Sequence, residues 1–191
     1  MSKILSRAKS SSSSTILLCI LIFVATSILT VCLLQQTTLA QQQRESNNSY
    51  NQQEEKEQKE NKAIVVAYVE AVNNRNLSAL DKIVSKDIIV HDTEIQSGLN
   101  ATKQFIKTLL VAFPDLHVTL DHIIAEDDKV VAFTTANGTH KGILAFAPVN
   151  PTGKHISAKS ADLYKISNGK IVEQWDITDV LDVLTKIGAV K

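Results

Sequence analysis

Polar and apolar positions divide this chain into three stretches before any single residue stands out. From Ile16 to Leu34 it is dominated by apolar residues, 19 positions without a charge. As a helix rising about 1.5 Å per residue, that run nearly spans a bilayer core of about 30 Å. From Gln41 to Glu60 there is no aliphatic residue, a composition that buries too little to order itself and reads as a disordered polar tether. From Asn61 onward the pattern becomes periodic. Ile64, Val65, Tyr68, Val69 and Val72 recur at helical spacing, with Asn61 as the expected cap and Asn73-Asn74-Arg75-Asn76 as the break. A short helix from Ser78 to Val84 and a brief strand from Ile88 to Val90 follow. Asn100 then caps a helix with Phe105, Leu109, Ala112 and Phe113 on one stripe, stopped by Pro114. The rest is strand and turn. His117 to Glu126 and Lys129 to Asn137 are joined by Asp127-Asp128; Lys154 to Ile166 and Lys170 to Ile177 are joined by Ser167-Asn168-Gly169, a hairpin signal. A last helix, Val180 to Ile187, ends at Gly188. Helices first and long strands afterwards predict an α+β domain, with helices on one face of a curved antiparallel sheet.

Composition narrows the function. Twenty basic residues balance twenty acidic ones, so no cationic excess exists to neutralise phosphates and nucleic acid is not an expected partner. Both cysteines, Cys19 and Cys32, lie in the apolar run, which removes disulfides, zinc fingers and thiol nucleophiles from the region beyond residue 40. Lys3, Arg7 and Lys9 precede the run with no acid among them. That is the positive flank of an export signal, cleaved near Thr38-Leu39-Ala40 or retained as an anchor, and in either case it sends the remainder outside. The expected organisation is a signal peptide or N-terminal membrane anchor over residues 1–40, a tether over 41–60 and a folded domain over 61–191. The location is extracytoplasmic, secreted or anchored, with membrane contact only through residues 16–34 if uncleaved. Asn47, Asn76, Asn100 and Asn137 carry the Asn-x-Ser/Thr pattern, a weak signal for glycosylation.

Several polar residues of the domain are candidates for a site. His91, beside Asp92 at a strand end, suits a tuned proton carrier, against a turn or surface role. His140 lies between Gly138 and Gly142, as a polar contact in a loop or as a solvated loop histidine. Tyr68 sits on the inward stripe of the first helix; Tyr164 and Asp162 share a face of one strand two residues apart. Either phenol can donate to a ligand oxygen, or serve only as amphipathic core. Ile143 to Pro151 reads as a lid, a subunit contact or a packed loop. The histidine spacings show no metal-ligand pattern, so no metal site is expected.

Phe113-Pro114-Asp115-Leu116, Glu126-Asp127-Asp128-Lys129-Val130-Val131, Gly138-Thr139-His140-Lys141-Gly142, Pro151-Thr152-Gly153-Lys154 and Asn168-Gly169-Lys170-Ile171-Val172-Glu173-Gln174-Trp175 through Asp179 occur in that order, followed by Leu184 and Ile187-Gly188. Together they resemble the SnoaL-like polyketide cyclases over about residues 61–190. The resemblance implies the cone-shaped α+β barrel of the nuclear transport factor two-like superfamily, with a deep pocket between helices and concave sheet. It also implies an acid/base carboxylate serving an intramolecular aldol closure without cofactor. The Trp-x-x-x-Asp spacing puts Asp179 at the matching position. A regular strand would set Ile171, Glu173, Trp175, Ile177 and Asp179 on one face, with Trp175 in contact with the ligand. The competing role for Asp179 is to cap the last helix, with Asp182 three residues on.

Two readings follow. One is a cofactor-independent cyclase or isomerase acting on a small hydrophobic carbonyl compound, with Asp179 as acid/base and His91 or His140 orienting the oxygen. The other is an exported or tethered binding module without chemistry. The export segment and the scarcity of aromatics depart from the family pattern and point to a small or aliphatic ligand. A homodimer through the open sheet face is an expectation of the fold.

Overall fold

The computed structural model describes the backbone of residues 2–91, 96–144 and 149–190; the side chains of residues 1–16, 25–26 and 28–32 lie outside the description. The chain divides into two units, Met1–Gln53 and Glu54–Lys191. Helix α1 is Ser2–Asn73. Residues 41–60 are therefore helical, where composition predicted disorder. Gln, Glu and Lys are strong helix formers. Pairs one turn apart, Gln41 with Glu45, Gln58 with Glu54 and Lys56 with Glu60, bridge successive turns. The reading of Ile16–Leu34 as a membrane span rests partly on side chains outside the description. Among the described residues, no helix is long and apolar enough to cross a membrane.

The second unit is the α+β fold. Beyond α1 come α2 (Leu80–Ile83), β1 (Val84–Val90), α3 (Leu99–Ala112), β2 (His117–Glu126), β3 (Lys129–Thr139), β4 (His155–Ser167), β5 (Lys170–Thr178) and α4 (Val180–Ile187). The strands form one sheet in the order β1-β5-β4-β3-β2. Three of its ladders are antiparallel, but β1 runs parallel to β5. The sheet is thus mixed rather than wholly antiparallel. Hairpin signals report only neighbouring strands, whereas the partner of β1 lies some eighty residues away. β1 is also longer than its apolar core of Ile88–Val90: it begins at Val84, which pairs with Ile171, and polar Ser85, Lys86 and Asp87 fall in an irregularity before pairing resumes at Ile89.

Two asparagines tie α1 to the sheet. Asn61 sits inside the helix rather than capping it, and its Nδ2 donates to the Asp127 carbonyl at the β2–β3 turn (3.2 Å). At the other end Asn73 both donates to the Val118 carbonyl and accepts from its N–H, each at 2.8 Å. α3 starts two residues earlier than expected. Gly98, at φ 102°, takes the cap position, so Asn100 lies within the helix; a side-chain-bearing residue pays a steric cost in that region.

One irregularity decides which residues face inward. In the β4–β5 hairpin Ser167 pairs with Lys170 and Ile166 with Ile171, but Lys165 then pairs with Glu173. Val172 is an extra residue, a β-bulge, and beyond it every side chain of β5 changes face. Ile171 is fully buried, and Gln174 is buried after it, while Ile177 is 73% exposed. The expected common face of Ile171 through Asp179 is broken at this point. Inside the cone, one core cluster packs Val65, Leu80, Val84 and Ile88 beneath the sheet end that holds Ile171. A second joins Phe113, Leu116, Leu144 and Ile156 to Val183 and Ile187 of α4.

Candidate active site

Between these clusters lies a cavity of about 540 Å³. Its walls are Val69, Val72, Ile106, Phe113, Leu116, Leu144, Ile156 and other apolar side chains from α1, α3, the sheet and α4. Its polar groups gather on the floor, on the inner face of three strands. Thr134 of β3, Ser160, Asp162 and Tyr164 of β4, and Gln174, Asp176 and Thr178 of β5 all line it, with Tyr68 of α1 above them.

Strand register arranges these groups in rows. Thr134 opposes Ser160, which opposes Thr178; Asp162 opposes Asp176; Tyr164 opposes Gln174. Directly opposed side chains lie about 5 Å apart at Cβ, within reach of one another. The Thr134 and Ser160 hydroxyls are 2.8 Å apart, Ser160 Oγ donates to Asp162 Oδ2 at 3.3 Å, and Thr178 Oγ1 donates to Asp176 Oδ1 at 2.6 Å. The Asp162 and Asp176 carboxyl groups face each other directly across the β4–β5 ladder.

Two carboxylates so placed only accept, and a hydrogen bond between them needs a proton. Asp162 holds it. Burial, then the neighbouring Asp176 charge and the bond between the two, pushes Asp162 up to about 8, against smaller downward pulls from Ser160 and Gln174. Burial also raises both phenols, Tyr68 and Tyr164, with the Asp162 charge as the next cause. Their rings meet at 5.7 Å in a tilted contact. Among the described residues the cavity lining contains no Lys, Arg or His to offset the carboxyl pair.

The remaining candidates lie elsewhere. Asp179 is the N-cap of α4 and accepts from the Asp182 N–H at 2.9 Å; it does not line the cavity. Trp175 and His91 are on the outer face, stacked at 4.2 Å with 2° between their planes, and His91 Nε2 lies 2.9 Å from Glu173 Oε2. Hydrogen bonds from His91 and then Lys165 hold the Glu173 carboxyl below its usual range. Asp92, the expected partner of His91, lies outside the described residues. His140 is wholly buried behind Phe113, with ring centroids 5.5 Å apart. Its Nδ1 accepts from the Thr152 N–H at 3.3 Å, and its backbone N–H donates to the Lys154 carbonyl at 2.9 Å. It closes the loop between β3 and β4 and meets no ligand space directly. Of the expected lid, Leu144 lines the cavity, and residues 145–148 lie outside the description.

Asp176 is the member that sequence reasoning missed. A regular hairpin about Asn168-Gly169 would put Trp175 opposite Asp162, and the bulge at Val172 puts Asp176 there instead. The shared face of Asp162 and Tyr164 on β4 was legible, and it is seen.

A curved five-stranded sheet closed by helices around one deep cavity defines the cone-shaped fold expected from the motifs. The family model for the SnoaL-like polyketide cyclase matches residues 62–187, and the chain belongs to that family. Among solved structures it is similar to AclR of Streptomyces galilaeus, a candidate hydroxylase, at 30% identity over 70% of this chain and 99% of that one, with a TM-score of 0.63. A candidate polyketide cyclase of Acidithiobacillus ferrooxidans is 26% identical over 69% of this chain and 96% of its own, with a TM-score of 0.60. A candidate SnoaL-like polyketide cyclase of Jannaschia is 22% identical over 70% and 95%, with a TM-score of 0.62, and shows the fold alone. No protein of curated function matches the sequence.

Proposed function

We propose that the chain is a cofactor-independent acid/base enzyme of the cyclase or isomerase type, acting on a small, largely apolar carbonyl compound. The observation that carries this reading is the pair of opposed carboxyls, Asp162 and Asp176, on the floor of an apolar cavity. Asp162 holds a proton near neutral pH and a second carboxyl, Asp176, stands directly opposite it; enolisation needs an acid and a base at one place. Asp176 takes the proton from the carbon beside the carbonyl as the C–H bond breaks. Asp162 gives its proton to the carbonyl oxygen, and Tyr68 and Tyr164 donate to that oxygen as charge develops on it. The enol then returns its hydroxyl proton to Asp162 as its carbon attacks a second carbonyl of the same molecule, whose C=O π bond breaks and whose oxygen takes the Asp176 proton, closing a ring. Where the enol is instead conjugated with a C=C bond, its hydroxyl proton again returns to Asp162 and the far carbon takes the Asp176 proton, completing an isomerisation. In both outcomes the pair ends with the one proton it began with.

Family membership supports this class of chemistry. The acid/base role considered for Asp179 passes in this proposal to the pair, because the Asp179 carboxylate is engaged by the α4 backbone. An extracytoplasmic position, secreted or anchored, is part of the same proposal and rests on the positive flank and the apolar run. Pairing of two copies through the outer sheet face is proposed too, and rests on the fold and on the exposure of Phe133 and Ile177 there. Ultracentrifugation of the full chain checks the last point.

The test of the chemistry is hydrogen–deuterium exchange at the carbons flanking the carbonyl of small cyclic ketones, followed by NMR with the full-length chain in heavy water. Exchange above the buffer rate is expected, reduced roughly a hundredfold or more by Asp176→Asn. A ketone that binds the cavity without accelerated exchange would establish the binding-module reading instead.

A further inference from the structure

The cavity carries an uncompensated acid. Its lining among the described residues brings titratable groups from only three elements: Tyr68 from α1, Asp162 and Tyr164 from β4, and Asp176 from β5. No cation faces them from α3, β2, β3 or α4. A buried carboxyl pair with no positive partner is costly to ionise.

The phenols supply a second, independent observation. Tyr68 is 8% exposed and Tyr164 3%, and both line the cavity. Neither hydroxyl has a hydrogen-bond partner among the described residues; burial and neighbouring charge alone act on them. Buried hydroxyls are normally satisfied. Two unpartnered hydroxyls on tyrosines otherwise buried, open to the cavity beside two carboxyls, mark a place built for polar atoms that the chain itself does not supply.

We propose that this floor is also a binding site for small apolar amines, held as ammonium ions by Asp162 and Asp176 and by the hydroxyl oxygens of Tyr68 and Tyr164. An ammonium group presents three N–H donors and no acceptor. Two carboxylates and a phenol oxygen meet that demand, and the aromatic rings add cation–π attraction in a dry setting. The apolar walls take the hydrocarbon body. A carboxylate ligand of the same shape meets only like charge. This inference concerns binding and does not rest on turnover; an amine seated here would exclude a carbonyl substrate and act as an inhibitor.

Calorimetry on the full-length chain with aminoadamantane, adamantanol and adamantane carboxylate tests it, because the three share one rigid body and differ in charge. At pH 8.5 the amine is expected to bind at least tenfold more tightly than the alcohol, with the carboxylate weakest. At pH 6 Asp162 keeps its proton, which the ammonium must displace, so the amine should weaken at least tenfold while the alcohol changes little. In a variant carrying Asp162→Asn and Asp176→Asn, the preference for the amine should vanish while alcohol binding reports that the cavity persists. Equal affinity for amine and alcohol in the unmodified chain overturns the proposal, and so does an amine affinity that is flat between the two pH values. The pH comparison needs no variant, so it stands if the double substitution prevents folding.

Discussion

Asp162 and Asp176 oppose each other across the β4–β5 ladder because β5 holds one residue more than its hairpin turn would allot. Without Val172 as a bulge, Asp162 would face Trp175, and the cavity floor would hold a single carboxyl beside an indole. The bulge therefore creates the proton-sharing pair. It also expels Trp175 to the outer face, where it stacks on His91.

The pair leaves a mark on stability as well as on chemistry. Asp162 has its folded-state value raised to about 8, against about 3.9 for an unfolded aspartate. A raised acid binds its proton more tightly in the native state, so its contribution is fully present below about pH 4 and is lost as pH rises to about 8. Asp162→Asn should flatten the fall in stability between those limits and leave the variant more stable than the parent at pH 9, by roughly 2–4 kcal/mol. Thermal unfolding of both proteins from pH 4 to pH 9 checks this. A parallel pair of curves would show that the carboxyl ionises normally.

At the start of α4 the side chain of Asp179 satisfies one of the orphan N–H groups. Asp179→Ala should cost about 1 kcal/mol, and Asp179→Asn much less, since asparagine caps nearly as well. Neither change should alter ligand affinity or isotope exchange. Urea unfolding together with the ketone assay separates this role from catalysis.

Trp175→Ala makes the complementary case. The indole contributes to the outer face, so its loss should lower the melting temperature through reduced packing with His91 and leave cavity ligands bound within about twofold, less than about 0.4 kcal/mol. A tenfold loss of affinity in a calorimetric titration would place the indole against the ligand after all.

Gly142 holds the chain close to the end of α3. The N–H groups of Lys141 and Gly142 both donate to the Ala112 carbonyl, at 2.8 and 3.0 Å. A Cβ at Gly142 would strike the Val111 carbonyl, backbone rather than a movable side chain. Gly142→Ala should therefore destabilise by about 1–3 kcal/mol and, because Leu144 lines the cavity two residues later, weaken ligand binding. Chemical denaturation and a binding titration on the same variant measure both effects.

Much of this molecule was legible in its sequence. The bounds of β2 and α4, the hairpin about Asn168-Gly169 and the shared face of Asp162 and Tyr164 follow from local rules: strand alternation, turn chemistry and helix caps act within a few residues. The spaced motifs also pointed to the family and its cone. Tertiary structure decided the rest, for reasons no local pattern contains. β1 takes a parallel partner distant in the chain, and its start at Val84 is set by the pairing of that residue with Ile171. Val172 becomes a bulge where the ladder must accommodate both β4 and β1, and a slip of one residue turns Trp175 outward and Asp176 inward, since strand side chains alternate with period two. Asp162 and Tyr164 could be placed on one face of their strand from the sequence alone. That Asp162 meets a second carboxyl there, in a cavity without a counter-charge, is a consequence of register.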